Sequence, residues 1–132
     1  MKTHFFDLQD GTNPLNGTSI ENSVELREIL DSLKNRPPFL AELISDNGYK
    51  LMFGLGATEG CVQASSVEDD PPYLMAVTPN LRDSEGEVDF LCGGTLTPVS
   101  KRYCLSYDAF VEILEEFVET GERKHDVFWE EI

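Results

Sequence analysis

His4 and His125 are the only two imidazoles in the chain, so general-base chemistry near neutral pH has just two candidates. Both stand in polar terminal segments, and no glycine-flanked Ser, Cys or Thr forms a nucleophile elbow for either to activate. Carboxylates are plentiful enough for a two-acid mechanism. No pair is marked as buried by apolar neighbours, however, and burial is what would drive two carboxyl pKa values apart. They read as solvated surface groups. The stretch DSEGEVD (83–89) puts Asp83, Glu85, Glu87 and Asp89 at every second position. A calcium loop needs its ligands ordered through twelve residues, whereas this alternation fits a strand with an acidic outer face. GLGATEG (54–60) has the glycines of a phosphate-binding loop but not the helix start that must follow, so it reads as a hairpin turn. Cys61, Cys92 and Cys104 are an odd set without CxxC spacing, which suggests neither a disulfide framework nor a zinc site, only mostly buried thiols. No catalytic residue, metal or cofactor is assigned.

What the composition does carry is charge. Ten Lys and Arg stand against 25 Asp and Glu, a net charge of −15, which repels nucleic-acid phosphates and anionic membranes and favours a basic protein partner. The competing reading is that the charge only maintains solubility. The N-terminus lacks a hydrophobic signal core and no apolar run is long enough to span a bilayer, so the expected compartment is the cytoplasm. With 132 residues, 40% apolar and 27% charged, the chain reads as one globular domain, residues 1–22 supplying an N-terminal strand and loop and 23–132 the core.

The elements that must position these residues follow from hydrophobic period. HFFDL (4–8) reads as an edge strand, followed by a turn-rich loop. NSVELREILDSLKNRPP reads as a helix capped by Asn22 or Ser23, with Leu26, Ile29, Leu30 and Leu33 on its buried stripe and Pro37 and Pro38 ending it. The period then drops to two. FLAELIS and YKLMFGL form a hairpin across Asn47 and Gly48, with Tyr49, Leu51, Phe53 and Leu55 on the core face. CVQAS, YLMAVT, EVDFLC and KRYCL read as further strands between turn-rich separators, one of them GGTLTPVS. SYDAFVEILEEFVETGER reads as a second helix, capped by Ser106 and stopped by Gly121, with Phe110, Ile113, Leu114, Phe117 and Val118 inward. HDVFWEEI returns as a short strand. The expected fold is α+β, an antiparallel sheet of about five to six strands with two helices packed on one face.

The acids concentrate in two segments. Glu59, Glu68, Asp69, Asp70, Asp83, Glu85, Glu87 and Asp89 face the single base Arg82, and nine more acids lie beyond Ser106 against Arg123 and Lys124. Loops carry little packing duty, so Glu68, Asp69, Asp70, Asp83, Glu85, Glu87 and Asp89 are the candidate partner-binding residues. A solvated rim is the alternative.

The run GGTLTPVSKRYCLSYDAFVEILEEFVETGERKHDVFWEEI resembles the end of immunity protein family one of bacterial polymorphic toxin systems. Ser106, Phe110, Phe117, Thr120, Gly121, Trp129 and Glu130 match its pattern of a strand, a Ser-capped helix, a TGER-like stop and a tryptophan followed by an acid. LREILDSLKNRPPF and the GLG-containing strand pair resemble its first helix and central hairpin, so the likeness covers about Ser23 to Ile132. Lys124 stands where family members commonly have proline. The resemblance implies a non-enzymatic cytoplasmic antidote that binds and blocks a cognate toxin, often a deaminase or other nucleic-acid-directed enzyme. It leaves the toxin's identity and the oligomeric state open. A small acidic interaction module with an unrelated partner is the rival reading. Trp129 reads as a core residue that fixes the last strand, because Val127 shares its face; a toxin-contacting hot spot is the alternative.

Overall fold

A computed structural model describes residues 2–77 and 85–132. The candidate Asp83, its neighbour Arg82 and the expected strand end Thr78 lie outside these residues. The two helices start where capping chemistry dictates. Helix α1, Ser23–Leu33, begins at Asn22, whose side chain accepts a hydrogen bond from the Glu25 N–H at 3.0 Å. Helix α2, Tyr107–Thr120, begins at Ser106, which accepts from Ala109 N–H at 3.3 Å, and ends at Gly121 in the left-handed region at φ 75°. Leu26, Ile29, Leu30 and Leu33 of α1 and Phe110, Ile113, Leu114, Phe117 and Val118 of α2 are buried in one cluster with the inner face of the sheet. Across the two helices Arg27 donates twice to Glu115, at 2.9 and 3.0 Å, and Ser23 donates to Glu119.

Ten strands make up the sheet among the described residues, rather than the five to six expected. They are β1 Thr3–Asp7, β2 Ser19–Ile20, β3 Phe39–Ser45, β4 Tyr49–Leu55, β5 Glu59–Ser66, β6 Leu74–Val77, β7 Glu87–Cys92, β8 Thr95–Ser100, β9 Leu105–Ser106 and β10 Phe128–Glu131. The main path runs β10-β6-β5-β4-β3-β1-β2. The meander β3 to β6 is as expected, but β1 pairs with both β2 and β3 and so is not the edge. KRYCL divides into a 3-10 turn, Lys101–Tyr103, and the two-residue β9. TLTPVS, expected to be a separator, is β8. Gly93 and Gly94, both at positive φ, make the turn that joins it to β7.

The β7–β8 hairpin does not extend the meander. It crosses the sheet on the face away from the helices, along the paired row Leu40–Gly54–Cys61. Phe90, fully buried, sits on that row with Leu40, Cys61, Met75 and Cys104 in a second, smaller core. A Cβ on Gly54 would lie 2.6 Å from the Phe90 ring, and one on Gly60 would lie 2.6 Å from the Phe110 ring on the opposite face. The glycines of GLGATEG therefore serve packing and a hairpin turn, which closes through Gly56 N–H to the Glu59 carbonyl at 3.1 Å. Burial pushes the Cys61 thiol up to about 12 and the Cys104 thiol up to about 11, which keeps both protonated and unreactive.

Two features anchor the ends of the chain. In β10, Trp129 pairs with Ala76, packs half-buried with Val127 against the main core, and donates its indole N–H to the Lys124 carbonyl at 3.0 Å. At the other end the Asp7 carboxylate is inaccessible to solvent. It accepts from the Gln9 and Asp10 N–H groups, from Asn13, and from Arg36 at 2.8 Å. Burial alone would raise the Asp7 pKa, but the bonds from Asn13, Arg36 and the backbone outweigh it and hold the carboxyl below its ordinary value.

Removing the Asp7 carboxylate leaves Arg36, Asn13 and two backbone donors unpaired. Asp7→Ala should therefore cost about 3 kcal/mol at neutral pH, the lower end for a broken buried pair because Arg36 is partly exposed. A depressed folded pKa means that this stabilisation is complete above the unfolded value of about 3.9 and disappears as pH falls through the folded one. Urea unfolding of wild type and variant should therefore show a stability gap at pH 7 that narrows in strong acid; an equal gap at both would contradict the ionised state of Asp7. Trp129→Ala should cost about 2–3 kcal/mol, less than for a fully buried tryptophan, and thermal melts that coincide with wild type would show that β10 is not held by its indole.

Candidate partner-binding surface

Where β4 begins and β5 ends, the helix side of the sheet opens into a cleft of about 410 Å³. Its floor is apolar, formed by Leu51, Ala64, Leu74 and Phe117. One wall is the loop 67–73 and the other is the segment 121–125 that follows α2. Both hang from the β3–β4 turn. Gly48 accepts from Val67 N–H at 2.9 Å, and the Asn47 side chain donates to the Gly121 carbonyl at 2.7 Å. Thr120 secures the second wall by donating to the Glu116 carbonyl and accepting from Glu122 N–H.

The first wall carries three of the predicted acids, and they differ in role. Asp69, at φ 59°, places its carboxylate 2.6 Å from Lys50, which also lies 3.7 Å from Glu42. Burial works against the Lys50 charge, but Asp69 and Glu42 outweigh it and raise the pKa. Asp69 thus ties the loop to β4, and Tyr73 donates its hydroxyl hydrogen to the Asp69 carbonyl. Glu68 and Asp70 line the cleft and have no ion-pair partner among the described residues. Glu122 lines the opposite wall, 3.6 Å from His125. The cleft therefore joins one acid from the C-terminal acid-rich segment to two from the central one.

Glu85, Glu87 and Asp89 are not part of this cleft. They are exposed along β7 and the residues leading into it, Glu87 and Asp89 alternating with the inward Val88 and Phe90 as the period-two pattern predicted. Other acids are engaged elsewhere: Glu115 and Glu119 hold α1, Glu130 receives Arg102, and Asp126 meets Lys124 at 3.0 Å. Tyr49 corrects the sequence reading. The period-two pattern puts it on the core face, yet at the strand's first position its side chain is 57% exposed at the cleft. The signal was its place beside Asn47-Gly48, where a strand leaves the cover of the helices. Arg123 and His125 also line the cleft, with the Arg123 guanidinium 5.9 Å from the centre of the Trp129 ring. A second cleft, about 270 Å³, lies on the other face between β8 and the Met52–Gln63–Met75 row.

Among the described residues no His, Cys, Asp and Glu side chains are grouped to hold a metal ion, and no helix is long and apolar enough to cross a membrane. None of the curated proteins compared with the chain matches it. A family model described as Immunity protein Imm1 matches residues 16–131, nearly the whole chain, and the chain belongs to that family.

Proposed function

We propose that this Imm1 family member is a non-enzymatic antidote of a bacterial polymorphic toxin system. It acts in the cytoplasm by binding a cognate toxin domain and covering its active site with an acidic surface. Family membership supports toxin neutralisation. The observation that carries the finer reading is the cleft of the β4–β5 end, where Glu68, Asp70 and Glu122 rim an apolar floor beside the exposed Tyr49. A deaminase or other nucleic-acid-directed enzyme must present a basic surface to phosphates, and a carboxylate-rimmed cleft competes for it without a nucleic acid's need to be held open. An apolar floor at the centre with charges at the rim is also how protein interfaces divide anchoring from steering.

Binding kinetics with the purified toxin domain test this. Long-range attraction should make association fall as salt rises from low to physiological ionic strength. Glu68→Gln with Asp70→Asn should slow association several-fold while changing dissociation less, and should alter stability within about 0.5 kcal/mol per site. Asp69 is a poor choice for the same test because it holds Lys50. An association rate indifferent to salt and to both substitutions would remove the acidic rim from the mechanism, and failure to form a complex would remove the antidote reading.

A further inference from the structure

We infer that the cleft is a receptor for one arginine side chain of the partner, entering between residues 67–73 and 121–125; this rests on the toxin-binding reading. Three features of the cleft select that occupant. Its floor is apolar, as the methylene stem of a long basic side chain requires. Its mouth has a phenol ring, Tyr49, that is more than half exposed although it begins a buried strand, and a planar guanidinium stacks on such a face where a hydrated ammonium gains less. Its walls carry Glu68 and Asp70 on one segment and Glu122 on the other, so a forked donor is offered carboxylates from both.

The cations already present do not fill this role. Lys50 is countered by Asp69 at 2.6 Å and by Glu42, the guanidinium of Arg123 is directed to the Trp129 ring, and His125 approaches Glu122 alone, at 3.6 Å, which leaves Glu68 and Asp70 without a cation among the described residues. At about 410 Å³ the space is within the range of small-ligand sites, so a whole side chain and part of its backbone can enter. The acids of β7 lie on a different surface and line neither cleft.

The test compares dissociation constants of the cognate toxin domain for wild type, Tyr49→Ala, Glu122→Gln, and Glu68→Gln with Asp70→Asn. The double variant Glu21→Gln with Glu28→Gln, at two exposed acids away from the cleft, is the remote acidic control, and thermal melts verify folding of each. The expected result is at least tenfold weaker binding by the Tyr49 variant at both low and high salt, a loss in the cleft-acid variants that shrinks as salt rises, and a control within twofold of wild type. Cleft variants that bind like wild type, or a control that loses more than they do, would overturn the inference and leave the antidote reading in place. If wild type fails to bind the toxin, that reading falls. Titration of isotope-labelled protein with N-acetyl-arginine amide then decides the receptor on its own: shifts confined to Tyr49, Glu68 and Gly121 support it, and their absence overturns it.

Discussion

The β4–β5 hairpin is clamped between two phenylalanines, and the rest of the fold is arranged around that contact. Phe110 of α2 presses on Gly60 from one side and Phe90 of β7 presses on Gly54 from the other, each ring where no Cβ can be accommodated. Interiors pack at crystal density, so a side chain at either glycine would have to move a buried ring or the backbone beneath it. The clamp explains why the β7–β8 hairpin leaves the meander: Phe90 gains complete burial only by crossing the sheet, and Leu91 then meets the start of β3 by a single parallel pair with Phe39. It also explains an asymmetry of cover. The same two strands are covered on both faces near Gly54 and Gly60, and they open at Tyr49 and Ser66 into the cleft. Stability is concentrated at one end of the hairpin and accessible surface at the other.

An excess of 15 negative charges opposes compaction by self-repulsion, and the structure divides its acids accordingly. Asp7 is buried and fully hydrogen-bonded, Glu115 and Glu119 join the helices, Asp69 fastens a loop and Glu130 fastens the last strand. Each of these works locally, and at exposed positions such pairs contribute little individually. Glu68, Asp70, Glu122, Glu85, Glu87 and Asp89 are directed to solvent or to the cleft rim, where carboxylates neither pack nor hold a neighbouring element. Surface acids of that kind influence encounter more than they influence folding.

Much of this was legible in the sequence because the signals were local. Asn22, Ser106 and Gly121 mark helix ends by hydrogen bonds within four residues, and Asn47-Gly48 marks a turn by its backbone freedom. The missed elements depend on distant partners. Pro98 and three polar residues hide β8, since proline is tolerated there only because the strand lies at an edge, paired with β7 alone. The pairs β2 and β9 are two residues long and have no period to detect. The Asp7 centre looks like an ordinary turn-rich loop until Arg36 arrives from beyond α1. At the candidate site the acids were legible as composition, but their grouping was not, because Glu68 and Glu122 are brought together only by tertiary packing. Tyr49 departs from its pattern for a related reason: alternation gives the face on which a residue lies but not where along the strand the cover ends.

The β3–β4 turn has a consequence for binding. Gly48 holds the loop 67–73 through Val67, Asn47 holds the segment after α2 through Gly121, and Asp69 adds a link to Lys50 just beyond the turn. Both walls of the cleft are thus tied to one three-residue turn between the two most extensively paired strands of the sheet, β3 and β4. Walls fixed in this way lose little conformational freedom when a partner enters, and avoiding that loss raises affinity without any additional contact.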